Sequence, residues 1–249
     1  MIRLIILIVP LILAVLLQYL MCLLYYIVKR FNEEKADRLA FYTIKVVSIL
    51  ACFFAGVRLD KKGMENLDKE GPVLYVSNHR SIFDILIFFT LIKKPAGFIG
   101  KKELEKVPIL SRWMKISHCL FLDRENVREG LKTILKGVEE LKAGRSMFIF
   151  PEGTRNKDKD LSSLLEFHGG SFKLAERAQV PIVPLVFYNT SAIFEDHKPF
   201  LKSQEVKVSV LEPVHLDELS KDQKKFLSQY VQGLMQEELN SLCSSSVKK

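Results

Sequence analysis

The sequence is poor in the features that mark several common protein classes. Its 249 residues include four cysteines: Cys22, Cys52, Cys119 and Cys243. None stands in a C-x-x-C pair and two lie in apolar stretches. That pattern fits unpaired thiols in a reducing compartment and argues against a disulfide framework or a cysteine zinc site. In such a compartment the Asn189-Thr190-Ser191 sequon is a chance occurrence. Repeats and low-complexity runs are absent. No basic stripe with interleaved aromatics stands out, which argues against nucleic acid as a partner. No small-x-small cleavage site follows the apolar N-terminus, so a cleaved signal peptide is disfavoured.

What is present points elsewhere. Hydrophobic residues make up 48% and charged residues 27% of the chain, enough for one globular core plus a membrane-associated segment. The formal net charge of +8 suits nucleic acid, an anionic membrane surface or anionic substrates, and the hydrophobic N-terminus decides toward lipid. Leu4 to Val28 carries no charged residue. As a helix it would be roughly 37 Å long, against a bilayer core of about 30 Å. Tyr19, Tyr25 and Tyr26 followed by Lys29 and Arg30 form an aromatic belt and a basic stop. If this segment spans, its basic end is cytoplasmic; the alternative is a monotopic hairpin within one leaflet. A polar break is expected at Asn32 to Arg38. A second apolar stretch follows from Leu39 to Val57, interrupted by Lys45. It reads as an interfacial helix with Lys45 snorkelling, or else as a core helix of the soluble part. The expected organisation is membrane-anchoring helices over 1–58, an α/β domain over 59–243 and a fraying polar tail over 244–249.

From residue 60 onward short apolar runs alternate with helical patterns. Strands are expected at 73–77, 97–100, 119–122, 147–150, 182–188 and 205–211, and helices at 81–92, 101–106, 109–115, 128–142, 170–178 and 219–242. Such alternation predicts a mixed, largely parallel sheet flanked by helices. In sheets of that kind sites form at strand ends, and every candidate motif follows a strand.

The first motif is Asn78-His79-Arg80-Ser81-Ile82-Phe83-Asp84. His79 and Asp84 are five residues apart and cannot share one face of a continuous helix. The spacing makes sense if His79 sits in a strand-to-helix turn, Ser81 caps the helix and Asp84 lies in its first turn. Asp84 then reaches back to the imidazole, fixing its tautomer and supporting its protonated form. No serine or cysteine nucleophile is needed if the substrate brings its own hydroxyl. A turn histidine beside a capping aspartate is the plainer reading.

Three further blocks follow in order: Phe121-Leu122-Asp123-Arg124, Phe150-Pro151-Glu152-Gly153-Thr154-Arg155 and Val180-Pro181-Ile182-Val183-Pro184. With the first, they make residues 60–215 resemble the glycerolphosphate acyltransferases, in particular the 1-acylglycerol-3-phosphate acyltransferases. The resemblance implies His79 as general base and Asp84 as its orienting partner. Lys101 resembles a lysine near the reacting centre; an exposed lysine is the equal alternative. Arg124, Glu152, Gly153, Thr154 and Arg155 would bind the phosphate of the acceptor, Arg155 through its two-pronged guanidinium and Gly153 through close backbone approach.

The implied reaction moves a fatty acyl group from acyl-CoA or acyl-acyl carrier protein to the sn-2 hydroxyl of lysophosphatidic acid, giving phosphatidic acid. It needs no cofactor beyond the acyl donor and no metal. Membrane lipid is the implied partner, and the cytoplasmic face of a membrane, of the bacterial inner-membrane kind, the implied location. Another acceptor (glycerol 3-phosphate, another lysophospholipid or a lyso-aminolipid) and a non-catalytic lipid-binding protein are the competing readings. One departure from the pattern is His168, which stands where the family often has lysine; Lys173 is its candidate substitute. His118, His197 and His215 have no partner pattern and read as structural or solvated.

Overall fold

A computed structural model describes residues 2–67 and 70–247, with side chains described over 17–67 and 70–245. Two long helices come first, α1 (Ile2–Phe31) and α2 (Glu33–Phe54). The expected polar break is a single residue. Asn32 is extended and its side chain accepts from the Lys35 N–H, so it caps α2. Glu33 and Glu34 then fall in the first turn, where acidic side chains suit the helix dipole.

About half of the expected span from Leu4 to Val28 falls on residues 4–16, whose side chains lie outside the described ones. Among the described residues no helix is long and apolar enough to cross a membrane.

After α2 the chain enters a seven-stranded sheet with spatial order β1-β7-β6-β2-β5-β3-β4. The strands are β1 (Val57–Lys62), β2 (Leu74–Ser77), β3 (Ala96–Lys101), β4 (Leu120–Leu122), β5 (Ser146–Ile149), β6 (Ile182–Tyr188) and β7 (Gln204–Val210). Only the β6–β7 pair is antiparallel. The other five pairings are parallel. The fold is thus mixed and largely parallel, as the alternation of apolar runs predicts. β1 escapes a sequence reading: Val57-Arg58-Leu59-Asp60-Lys61-Lys62 is an edge strand whose charges face water.

Side chains alternate across the sheet, as strand geometry demands. Tyr75, Phe148, Val183 and Leu185 face one core together with Phe41 and Cys52 of α2, Ile87 and Phe88 of α3 (Phe83–Leu91), and Met114 of α4 (Pro108–Ile116). Leu74, Val76, Met147 and Ile149 face the other, with α5 (Val127–Lys142), α6 (Gly169–Ala178) and the C-terminal helix. The expected terminal helix over 219–242 is two helices. Ser220 and Gln223 form a capping box that starts α7 (Lys221–Lys225), and α8 (Leu227–Val247) follows after Phe226.

α2 has two characters. Ala36, Ala40, Phe41, Ser48 and Cys52 are buried, whereas Val46, Val47, Leu50, Phe53 and Phe54 are exposed. Lys45 does not snorkel: its ammonium donates to the Ile92 carbonyl, 2.5 Å away, at the end of α3.

Candidate active site

Parallel strands point their carboxyl ends to one edge, and β2 and β5 are neighbours there. The segments leaving them, Asn78-His79 and Phe150-Pro151-Glu152, therefore meet although they are far apart in sequence. The His79 ring stacks on the Phe150 ring, with centroids 3.8 Å apart and planes 10° from parallel. His79 Nδ1 lies 2.8 Å from Asp84 Oδ2. The same oxygen accepts the backbone N–H groups of Arg80 and Ser81, each at 2.8 Å. An oxygen that already gathers two N–H donors is a carboxylate acceptor, so Nδ1 carries the proton and Nε2 is left as the basic nitrogen. Asp84 is fully buried and the imidazole side chain is 15% exposed, open enough to meet a substrate.

The turn is capped as its sequence suggests: the Ser81 hydroxyl accepts the Phe83 N–H at 3.1 Å and Asp84 accepts the Ser81 N–H at 2.8 Å. The helix begins at Phe83, and the Ser81 hydroxyl donates to Glu195 Oε2 at 2.5 Å. Asp84 and Ser81 thus share the cap, and the Ser81 hydroxyl hydrogen is spent on Glu195.

Glu152 is buried, and both its oxygens are occupied. Oε1 accepts the His79 N–H at 2.8 Å and Oε2 the Leu165 N–H at 3.1 Å. It braces the dyad turn. Burial pushes its carboxyl up to about 7, with the two N–H donors offsetting part of the rise. The folded protein therefore keeps a proton between about pH 4.5 and 7 that the unfolded chain has lost. Stability is expected to fall as pH rises through that window, by up to roughly 3 kcal/mol. Urea midpoints measured near its two ends should show this drop in the wild type and a clearly smaller one in Glu152→Gln.

Arg80 is buried and donates to the carbonyls of Asp158, Asp160 and Ser163 at 2.6–2.9 Å. The Asn156 N–H donates to the His79 carbonyl at 2.7 Å. These bonds tie the polar loop after β5 to the histidine turn.

Lys101, expected near the reacting centre, and the expected phosphate-binding residues fall into two places. Lys101, Arg124, Gly153 and Thr154 line one cleft of about 480 Å³, with Lys106 and His168 on its walls and part of Glu152 at its base. Gly153 has φ +70°, and a Cβ there would sit 3.0 Å from the His168 ring, so any other residue would be strained and would push that ring aside. Partial burial lowers the pKa of Arg124, countered by Glu103. Lys101 is an exposed side chain 3.4 Å from Glu103. Arg155 turns the other way and pairs with Glu195 at 2.9 Å. Glu195 Oε1 also accepts the Ile82 N–H at 3.0 Å, joining Arg155 to the start of α3. Lys173 pairs with Glu176 on α6.

A second cavity, of about 430 Å³, is apolar. Ile82, Leu86, Phe98, Leu104, Leu110 and Trp113 are among its walls. Ile82 belongs to the dyad turn, and Phe98 packs against Phe150, which carries the imidazole stack. Residues bonded or adjacent to the dyad thus reach both spaces, Glu152 the polar cleft and Ile82 the apolar cavity. Among the described residues no group of three or more His, Cys, Asp or Glu side chains is placed to hold a metal ion.

Sequence reasoning missed Glu195 and Arg80. Glu195 opens a three-residue 3-10 turn with no periodicity to mark it, and Arg80 reads as one more surface cation beside a motif. His118, read as partnerless, lies 3.1 Å from Asp37 of α2 and 3.5 Å from Glu140 of α5, a structural bridge far from the dyad.

The acyltransferase family model matches residues 58–188, more than half of the chain. The chain belongs to the acyltransferase family. Relatives within it include the 1-acyl-sn-glycerol-3-phosphate acyltransferase of Saccharomyces cerevisiae, 33% identical over 77% of this chain and 65% of that one. The enzyme of the same name from Borreliella burgdorferi is 27% identical over 82% and 81%. The chain thus spans just under two thirds of the yeast relative's length and most of the spirochaete's. The crystal structure of the 1-acyl-sn-glycerophosphate acyltransferase from Thermotoga maritima superposes with a TM-score of 0.73 at 22% identity, covering 91% of this chain and 96% of that one. At that identity the likeness establishes the family fold.

Proposed function

We propose that this protein transfers a fatty acyl group from acyl-CoA or acyl-acyl carrier protein to the sn-2 hydroxyl of 1-acylglycerol 3-phosphate, producing phosphatidic acid. The observation that carries this reading is the His79–Asp84 pair, whose neighbours line a charged polar cleft, where Lys101, Lys102, Lys106 and Arg124 stand among Glu103, Asp123 and Glu125, and an apolar cavity. Such a site suits a substrate with an anionic head, a reactive hydroxyl and long acyl chains.

In the proposed reaction His79 Nε2 takes the proton of the acceptor hydroxyl as its oxygen attacks the thioester carbonyl. Asp84 supports the imidazolium that forms. The tetrahedral intermediate carries its charge on the former carbonyl oxygen, which needs fixed donors. Lys101 or backbone N–H groups of the dyad turn supply them. Collapse breaks the carbon–sulfur bond, and the imidazolium returns its proton to the departing thiolate. The ester is made and His79 is restored. Arg124, Thr154 and the Gly153 backbone hold the acceptor phosphate on one side and Arg155 on the other, once Glu195 yields to it. Glu152 acts by holding the turn.

The exposed apolar face of α2, with exposed Leu20, Leu23 and Ile27 of α1, supports a seat on a membrane, where acceptor and product reside. The basic balance suits an anionic, cytoplasmic leaflet and an anionic acyl carrier.

The test is thiol release from palmitoyl-CoA. It is expected to depend on lysophosphatidate and to respond weakly to a monoacylglycerol of the same chain length. Arg155→Ala should raise the KM for lysophosphatidate about tenfold or more and change the monoacylglycerol reaction little. Thiol release indifferent to any acceptor would defeat the reading, and equal loss on both acceptors would remove the phosphate role of Arg155.

A further inference from the structure

The loop between β6 and β7, residues 189–203, does two things at its two ends. At its inner end Ile193 and Thr190 are buried, and Glu195 holds Ser81, Ile82 and Arg155. At its outer end Phe200 is 72% and Leu201 53% exposed. These two are not frayed. The Phe200 N–H donates to the His197 carbonyl and the Lys202 N–H to the Ile193 carbonyl, both at 2.9 Å, so the loop closes on itself and presents its tip. Exposed Lys198 and Lys202 bracket the tip. Lys198 lies over the Phe194 ring, 5.5 Å from its centroid.

The tip has an apolar neighbour. The Ser203 hydroxyl donates to the Gly56 carbonyl at 2.6 Å, which fixes the loop beside the end of α2. There Phe53 and Phe54 are 73% and 79% exposed. Val46, Leu50, Phe53 and Phe54 follow helical spacing, so the outward apolar face of α2 runs directly to the loop. Two large apolar side chains between lysines, continuous with an apolar helix face, suit a surface that is greasy within and anionic at its rim. A protein partner would more often meet aromatic anchors seated in a shaped pocket.

We propose that the Phe200–Leu201 tip is a second membrane contact, inserting into the headgroup region of an anionic bilayer beside the Phe53–Phe54 end of α2. This rests on the membrane reading given above, and it is independent of which acceptor is used. Its consequence is that Glu195, and through it Arg155, rides on the loop that touches lipid. The contact sets the depth at which the acceptor headgroup is met.

The test uses the full chain in vesicles of phosphatidylcholine mixed with phosphatidylglycerol. Cys22, Cys52 and Cys119 are buried, so a Cys243→Ser background leaves a single introduced thiol as the reactive one. An NBD label on Leu201→Cys is expected to emit at shorter wavelength and to be quenched by shallow spin-labelled lipids. A label on the exposed Val127→Cys should do neither, and one on Phe53→Cys serves as reference. Water-like, unquenched emission at 201 with quenching at 53 overturns the loop contact and leaves the membrane reading standing. Water-like emission at both sites removes the membrane reading and this inference together, without bearing on thiol release. In a second measurement, the combined Phe200→Ser and Leu201→Ser variant should lose about tenfold in kcat/KM on bilayer-embedded acceptor. It should stay within about twofold on a short-chain acceptor kept monomeric in solution. Equal rates of variant and wild type on the bilayer acceptor would overturn the proposal.

Discussion

Replacing His79 with alanine is expected to lower acyl transfer about a thousandfold, since it removes the base that both takes the hydroxyl proton and returns it to the thiol. The fold should survive the change. What is lost is a ring stacked on Phe150 and one hydrogen bond to Asp84, together about 1–2 kcal/mol, while the His79 N–H to Glu152 is a backbone bond and remains. Thiol release measured beside a thermal melt separates the two effects. Near-normal turnover in a well-folded His79→Ala protein would rule the imidazole out as base, and with it the reaction proposed for the site.

Asp84→Asn tests the other half of the pair and should cost between about a hundredfold and ten-thousandfold. The asparagine oxygen can still accept from His79, Arg80 and Ser81, all of which meet Oδ2 in the wild type. Its amide nitrogen then occupies the place of Oδ1, a buried atom with no hydrogen-bond partner among the described residues. Geometry is thus largely kept and charge is lost. The variant isolates what a negative charge does for the imidazolium in a site shielded from water. A rate within tenfold of wild type would show that Asp84 serves as a helix cap only. Asp84→Ala is a poorer probe, because it strands two buried backbone N–H groups and destabilises the turn.

Much of this site could be read without coordinates, for identifiable reasons. Parallel strands buried on both faces leave short apolar runs, and those runs located β2, β3, β5 and β6 to within about two residues. The dyad was legible because its spacing is local: a turn followed by a helical turn brings residue 79 to residue 84. β1 was hidden because an edge strand needs only one apolar face, and its charges read as surface. Lys45 was read as a snorkelling side chain because its acceptor, the Ile92 carbonyl, belongs to another helix. Glu195 could not be foreseen at all. Its three partners are 40 or more residues distant in sequence, and only the return of the chain after β6 brings it to them. The two-sided arrangement of Arg124 and Arg155 was likewise invisible, since sequence order places both after strands and says nothing of which way each side chain turns.

The sheet order carries a consequence for how the chain is made. β1 leaves the ribosome directly after the two long helices, yet its hydrogen-bonding partner is β7, the last strand to be synthesised. Until β7 emerges, β1 has no ladder to join, and the helical pair is held to the rest of the domain by packing of α2 on α3 and of α1 on α4. A chain interrupted before residue 204 would hold both members of the dyad and present them on a sheet open along one border. Such a product should be prone to association at that border, as unpaired strand edges are.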